Sequence, residues 1–303
     1  LARKRKGIRL NGWLAIDKPL GMTSTQVVGR CRWLTHAQKT GHGGTLDPLA
    51  TGILPIAFGE ATKTIPFIME ARKSYDFTVT FGEARASDDA EGEVTATSDI
   101  RPSRSEILAI LPRFTGRISQ IPPAFSAIKI DGKRAYALAR AGEAPVMKSR
   151  EVDIYSLDLL SCDGQTASFR AVCGKGTYIR SLARDMARDL ATVGYVSGLR
   201  RTRVGAFGLD ESISLEKLEE LGHSAPPEEW ILPVVTVLGD IPALAVTEDE
   251  AVLLSHGQPL SLRDSVSAGE VIRVMTGTRL VALCKSEITS EGQILKPVRV
   301  FNI

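Results

Sequence analysis

Residues 74–81 alternate between apolar and polar side chains, which puts Tyr75, Phe77, Val79 and Phe81 on one face. A period of two is the signature of a half-buried β-strand. Residues 13–16 and 53–58 are short apolar runs of the same kind. Residues 152–160 and 166–172 are two more, with the hairpin signal Asp163-Gly164 between them. A few helices interrupt these strands. Thr23 or Ser24 can cap one that runs to about Leu34, and residues 103–111 form another with Ser105 and Glu106 in its first turns. The clearest spans residues 176–191. There Ile179, Leu182, Ala183, Met186 and Leu190 make an apolar stripe, and Arg180, Arg184 and Arg188 lie four apart on another face. The pattern predicts a mixed α+β domain built on an antiparallel or mixed sheet.

The domain is predicted to cover residues 1–235. After residues 215–221 the chain turns acidic and Pro-rich at Ala225-Pro226-Pro227-Glu228-Glu229, which places a boundary before Pro242. Residues 240–303 then hold one short helix near 249–254 and short strands at 271–275, 280–284 and 298–301, as in a small β-rich barrel. A chain of 303 residues has room for both units. Residues 83–99 are polar and acidic and are predicted to be an exposed loop. Residues 124–150 are expected to form a lid.

Charge is unevenly spread. Residues 1–40 hold nine Lys or Arg and one acid, and residues 170–203 hold eight basic residues and two acids. Residues 204–260 reverse this, with eleven acids and one base. Such asymmetry suits a polyanion-binding surface, with scattered solvated charge as the plainer alternative. The basic N-terminal residues are not followed by an apolar stretch of signal-peptide type. The most apolar region, residues 230–246, is broken by Pro233, Asp240 and Pro242, so no membrane span is expected. Cys31, Cys162, Cys173 and Cys284 are far apart, as expected of reduced thiols in a cytoplasmic protein, and neither zinc-ligand spacing nor a dinucleotide motif is present.

The most unusual stretch is Gly41-His42-Gly43-Gly44-Thr45-Leu46-Asp47-Pro48-Leu49-Ala50-Thr51-Gly52. Its glycines permit positive φ and close backbone approach, and Pro48 biases Asp47 toward an extended conformation. A fixed carboxylate with His42 nearby is one outcome, and an ordinary Asp-Pro turn is the other. Gly174-Lys175-Gly176-Thr177 is only a near miss to a phosphate-binding loop. Arg180 sits in the first turn of its predicted helix, where the macrodipole disfavours a cation unless an anion is near. A solvated face is its alternative.

The Gly41 to Gly52 stretch resembles the catalytic-loop motif of the TruB-type pseudouridine synthases, which isomerise uridine 55 in the T-arm of tRNA. Three further segments are similar to motifs of the same family, in the same order. They are Ile16-Asp17-Lys18-Pro19-x-Gly21-x-Thr23-Ser24, then Lys73-x-Tyr75, then Gly176-Thr177-Tyr178-Ile179-Arg180-Ser181-Leu182 with Leu199-Arg200-Arg201-Thr202-x-x-Gly205. Gly43 departs from the small hydroxyl residue often found at its position. The C-terminal region resembles a PUA-like RNA-binding domain. The resemblance implies a cofactor-free and metal-free isomerase that binds tRNA, expected to act as a monomer. It implies Asp47 as the catalytic carboxylate, Arg180 as its partner, and Tyr75 as the residue that stacks on the target base. His42 would help extrude the nucleotide, Tyr178 and Leu199 would line its pocket, and Lys18 would support the first motif. Each has a plainer alternative: core packing for Tyr75, Tyr178 and Leu199, a turn for His42, a surface lysine for Lys18. An RNA-binding protein without activity and a hydrolase that releases free uracil are the rival functions.

Overall fold

The computed structural model describes residues 7–126, 128–130, 132–141, 146–262, 267–290 and 292–303. One mixed sheet organises the larger part of it. From one edge, the strands run Ser212–Ile213, Gly12–Lys18, Ala50–Phe58, Gly194–Val204, Lys73–Phe81, Thr166–Cys173, Arg150–Cys162 and Gly116–Gln120. Two short strands, Thr40–His42 and Phe207–Gly208, pair alongside. Ala50–Phe58 pairs antiparallel to Gly12–Lys18 and parallel to Gly194–Val204, and the pairs beyond Gly194–Val204 are antiparallel. Ala50–Phe58 is buried on both faces, which explains its unbroken apolar run.

In Lys73–Phe81 the alternation holds: Phe77, Val79 and Phe81 are buried, while Tyr75 is half-buried at the open end of the row. Phe77, Val79 and Phe81 pack with Ile179, Leu182, Ala183 and Met186, so one face of the sheet is covered by the helix Ile179–Asp189. Beside it the helix Ser24–Thr35 covers Leu14, Ile16, Leu54 and Ile56 through Val27 and Cys31. Thr23 caps that helix in a capping box with Gln26, and Ser103 caps Arg104–Ile110 with Glu106 in the same way.

Two expectations need correction. The helix predicted for residues 176–191 spans only Ile179–Asp189, because Gly176 takes φ +77° and Tyr178 is extended. Residues 83–99 are not simply an exposed loop: Glu83–Arg85 and Val94–Thr97 pair as a hairpin, and Ser87 and Asp89 between them are buried. In the expected lid, Lys129–Ile130 pairs with Lys133–Arg134 and leads into the helix Ala135–Arg140. Residues 127, 131 and 142–145 of that segment lie outside the described residues.

The C-terminal strands form a five-stranded sheet in the order Ala243–Ala245, Val271–Thr276, Arg279–Thr289, Gly292–Val300, Leu260–Ser261, with the helix Glu248–Ser255 packed on it. The strands Arg279–Thr289 and Gly292–Val300 are longer than the sequence pattern suggests. This sheet is not hung on a bare linker. Leu280, Leu283 and Phe301 share one buried cluster with Trp13, Ala15, Ile53 and Phe207 on the second face of the large sheet, and Val234 and Leu238 lie in the same cluster.

Candidate active site

The loop that carries Asp47 is pinned from three directions. Its approach is the strand Thr40–His42, paired antiparallel with Ala50–Phe58, and the Gly43 amide donates to the Pro55 carbonyl at 2.8 Å. Gly43 lies against Ile68: a Cβ there would come within 2.6 Å of an Ile68 methyl. Any larger residue at position 43 would press on that isoleucine. Gly44 turns the chain at φ +125°. The buried Ser24 hydroxyl then donates to the Leu46 carbonyl at 2.9 Å and accepts from the Leu46 amide at 2.8 Å, which ties the loop to the start of the helix Ser24–Thr35. Past Asp47, the Pro48 carbonyl accepts from the Gly21 amide at 2.9 Å and from Lys18 Nζ at 3.2 Å.

Lys18 is wholly buried, not a surface lysine. Its ammonium also donates to the carbonyls of Met22 at 2.6 Å and Pro19 at 2.9 Å. Burial pushes it down to about 8, against the pull of the Asp47 carboxylate. Arg201 clamps the loop from below. It is buried, and its guanidinium donates to the carbonyls of Ile53 at 2.7 Å, Gly44 at 3.0 Å and Thr45 at 3.4 Å.

Arg180 reaches this loop from the first turn of the helix Ile179–Asp189. Its Nη2 lies 3.0 Å from Asp47 Oδ2, and its Nη1 lies 3.3 Å from Asp89 Oδ2. It also donates to the carbonyls of Ser87 at 2.8 Å and Phe125 at 2.9 Å. Only 5% of the Arg180 side chain is exposed, so the solvated-face alternative fails, whereas Asp47 keeps 38% of its side chain exposed. Two carboxylates offset the unfavourable placement of a cation at a helix N-terminus. Burial raises the Asp47 carboxyl above the ordinary carboxylate range, and Arg180 pulls it back only in part. The ion pair expected from the sequence is present, but desolvation outweighs it.

Tyr75 and Leu199 stand beside the loop, each half-buried and packed between the two core clusters on this face of the sheet. The backbone places Leu199 between its register partners Ala50 and Phe77, and Tyr75 opposite Arg201. Burial raises the Tyr75 phenol, and the Arg201 guanidinium opposes that shift. Tyr178 is held by Gln120, whose Oε1 accepts from the Tyr178 amide at 2.8 Å and whose Nε2 donates to its carbonyl at 3.1 Å. The Arg150 guanidinium lies 4.9 Å from the centre of the Tyr178 ring. His42 sits on a paired strand, not in a turn. Its Nδ1 is buried without a hydrogen-bond partner, and burial lowers its basicity, with Arg201 acting in the same direction.

Such an arrangement offers an activated-nucleophile or charge-stabilising carboxylate, held by a buried guanidinium on a fixed loop. Comparison with known proteins gives it a family. The model of the TruB family pseudouridylate synthase N-terminal domain matches residues 32–179, and that of the tRNA pseudouridylate synthase B C-terminal domain matches residues 180–238. The tRNA pseudouridine synthase B of Rhodospirillum rubrum is 50% identical over 312 aligned positions, covering 100% of both chains. This chain belongs to the TruB family of pseudouridylate synthases. Its similarity to the tRNA pseudouridine synthase B of Bradyrhizobium diazoefficiens is 52% over 97% of this chain and 86% of the relative. Among solved structures, a Cbf5-Nop10-Gar1 complex contains a chain with TM-score 0.74 and 27% identity, covering 96% of this chain and 85% of that one.

Within this TruB-family chain, sequence reasoning missed several residues that build the site. Ser24, Lys73 and Arg201 stand inside the quoted motifs, so motif membership was the available signal. Lys73 is buried, donates to the carbonyls of Met69 and of Ala71, and is pushed down to about 8 by burial. Asp89 and Gln120 had no signal: Asp89 lies in the segment read as an exposed loop, and the segment of Gln120 shows no pattern of its own. The cysteines are free; Cys31, Cys173 and Cys284 are buried. Among the described residues, no helix is long and apolar enough to cross a membrane, and no group of His, Cys, Asp and Glu is arranged to hold a metal ion.

Proposed function

We propose that this chain isomerises uridine to pseudouridine at position 55 in the T-arm of tRNA, with Asp47 as the catalytic carboxylate. The observation that carries the reading is the Asp47–Arg180 pair at 3.0 Å, a partly exposed carboxylate tied to a buried guanidinium on the family's motif. The relatives named tRNA pseudouridine synthase B supply the substrate class. The reaction breaks the bond from the sugar to N1 of the base and makes one to C5. C5 gives up a proton and N1 gains one, so the product is an isomer and nothing is oxidised or reduced. An ionised Asp47 serves by attack on the sugar or the base, or by stabilising positive charge at the anomeric carbon.

Chemistry at C5 requires the uridine to leave its stack. His42 assists that extrusion. Tyr75 offers its ring to the flipped base, Leu199 and Tyr178 complete the pocket, and Lys18 acts through the Pro19–Pro48 contacts that fix the loop. Residues 1–235 carry the chemistry, with residues 124–150 as a lid on the RNA. Residues 240–303 add a PUA-like accessory contact through cations such as Arg273, Arg279 and Lys285. Arg263, a further candidate for that contact, lies outside the described residues. The protein works as a monomer in the cytoplasm.

The test is Asp47→Asn assayed on a tRNA transcript. The amide keeps the shape and loses the charge, so pseudouridine formation should fall at least about 10³-fold while tRNA binding is retained. Activity within tenfold of wild type removes Asp47 from the role. Release of free uracil by the wild type would favour the hydrolase reading.

A further inference from the structure

The helix Ser24–Thr35 has two working ends. Its first residue, Ser24, holds the catalytic loop at Leu46. Nine residues on, at about 1.5 Å of rise per residue, Trp33 stands on the outer surface with 61% of it exposed. The Arg30 guanidinium lies 4.6 Å from the centre of the indole ring. Arg30 is itself anchored by Glu219 at 2.8 Å. With one ring face under the guanidinium, the exposure of Trp33 belongs to its other face and its edges. Beside it is an open depression of about 320 Å³ lined by Gly7, Gly29, Arg32, Trp33, His36 and Ala37. In the sequence Gly7 follows the run Arg3-Lys4-Arg5-Lys6.

An exposed tryptophan flanked by guanidiniums has the chemistry of a nucleic-acid stacking platform. The indole takes a base face, and the cations take the adjoining phosphates. The helix C-terminus disfavours an anion on its own axis, so phosphates must sit on the Arg30 and Arg32 side chains at its flank. We propose that Trp33, Arg30 and Arg32 form a second RNA contact, which stacks an unpaired base of the tRNA that lies outside the T-arm. In the proposed function the T-arm meets Asp47, whose loop is tied to the opposite end of the same helix. This inference rests on tRNA being the substrate.

The experiment compares wild type, Trp33→Ala and Trp33→Phe on full-length tRNA and on an isolated T-arm stem-loop. It measures kcat and KM for pseudouridine formation, and binding in an Asp47→Asn background. Trp33→Ala should raise KM and Kd for full-length tRNA about five- to tenfold, a modest effect for loss of one stacked base, with kcat unchanged. The stem-loop values should stay within twofold, and Trp33→Phe should recover most of the loss. Full-length binding within twofold of wild type overturns the proposal, and so does an equal loss on both RNAs. A change in the sedimentation of the free protein would make the partner a second copy of the chain and overturn it too. If the wild type forms no pseudouridine on either RNA, the proposed function fails, and the binding arm still decides whether Trp33 contacts RNA.

Discussion

Arg180 carries its charge almost wholly into the protein, between Asp47 and Asp89 and beneath two backbone carbonyls. Arg180→Met leaves two carboxylates facing each other without a cation. The expected cost to stability is about 3 kcal/mol, the low end for a broken buried pair because Asp47 keeps part of its hydration. Activity should fall more than for either neighbour on the stripe. Arg184 is partly buried and pairs with Asp88 at 2.8 Å, so Arg184→Met should be intermediate. Arg188 is 67% exposed and 3.8 Å from Asp185, so Arg188→Met should resemble wild type. Melting curves and initial rates on tRNA check the order; equal effects of all three would deny Arg180 a special part. The pH dependence belongs to the same residues. Asp47 must be ionised to act, and burial raises its carboxyl, so kcat/KM should climb with pH through a value above the ordinary carboxylate range. Folding disfavours that ionised form, so this group's contribution to stability declines as pH rises through the same window. On the alkaline side Lys18 loses its proton at about 8, the ammonium no longer holds three carbonyls, and activity should fall. A pH–rate profile flat between 7 and 9 would show that Lys18 does not act through its charge.

At the scale of elements, the loop from His42 to Ala50 shows how little of its shape is local. Its glycines allow the turn, but its position comes from Ser24 on one helix, Arg201 on a distant strand and Pro55 on the next one. Gly43 is limited by space and not by backbone angle, since the contact at 2.6 Å is to the Ile68 side chain. Gly43→Ser should therefore destabilise the chain by about 1–3 kcal/mol through overpacking. Made in an Ile68→Ala background, which lacks that methyl, the same substitution should recover part of that loss in a thermal or urea melt. No recovery would place the strain elsewhere. The cap of the helix Ser24–Thr35 was legible to within a residue because capping is local: Thr23 and Gln26 lie three residues apart. The start of the helix Ile179–Asp189 was not, because the turn at Gly176 and the clamp from Gln120 on Tyr178 delay the helix by three residues from where periodicity puts it.

For the whole molecule, the join between the two sheets matters most. The Pro-rich, acidic stretch near residue 226 reads as a linker, and cutting there looks harmless to a site made of earlier residues. The packing argues otherwise. Leu280, Leu283 and Phe301 cover Trp13 and Phe207, Lys63 donates to the Val300 carbonyl at 2.7 Å, and the Asn302 amide donates to Glu60 at 2.9 Å. Removal of residues 240–303 should expose that cluster and lower the melting temperature by about 10 °C or more, for a loss of several kcal/mol in a chain of this size. Calorimetry on the truncated and full-length proteins checks it, and an unchanged melt would mean that the shared cluster adds little. Loss of activity in a truncated chain is then a stability effect unless the fold is shown intact, so the RNA role of the C-terminal sheet is better tested at its exposed cations.

The sequence by itself determined the strands and helices whose patterns are periodic, the family through four ordered motifs, and Asp47, Tyr75 and Arg180 as the residues to watch. Periodicity and motif spacing are local properties, and both survive in one dimension. Only the tertiary structure decided that Asp89 joins Arg180, that Arg201 and Lys18 are buried under the loop, and that Trp33 is left on the surface. Each of these depends on burial and on partners far away in the chain: Arg180 is 91 positions from Asp89, and Arg201 is 157 from Gly44. Desolvation sets the Asp47 carboxyl, and it is a property of everything packed around that group, which no segment of the sequence states alone.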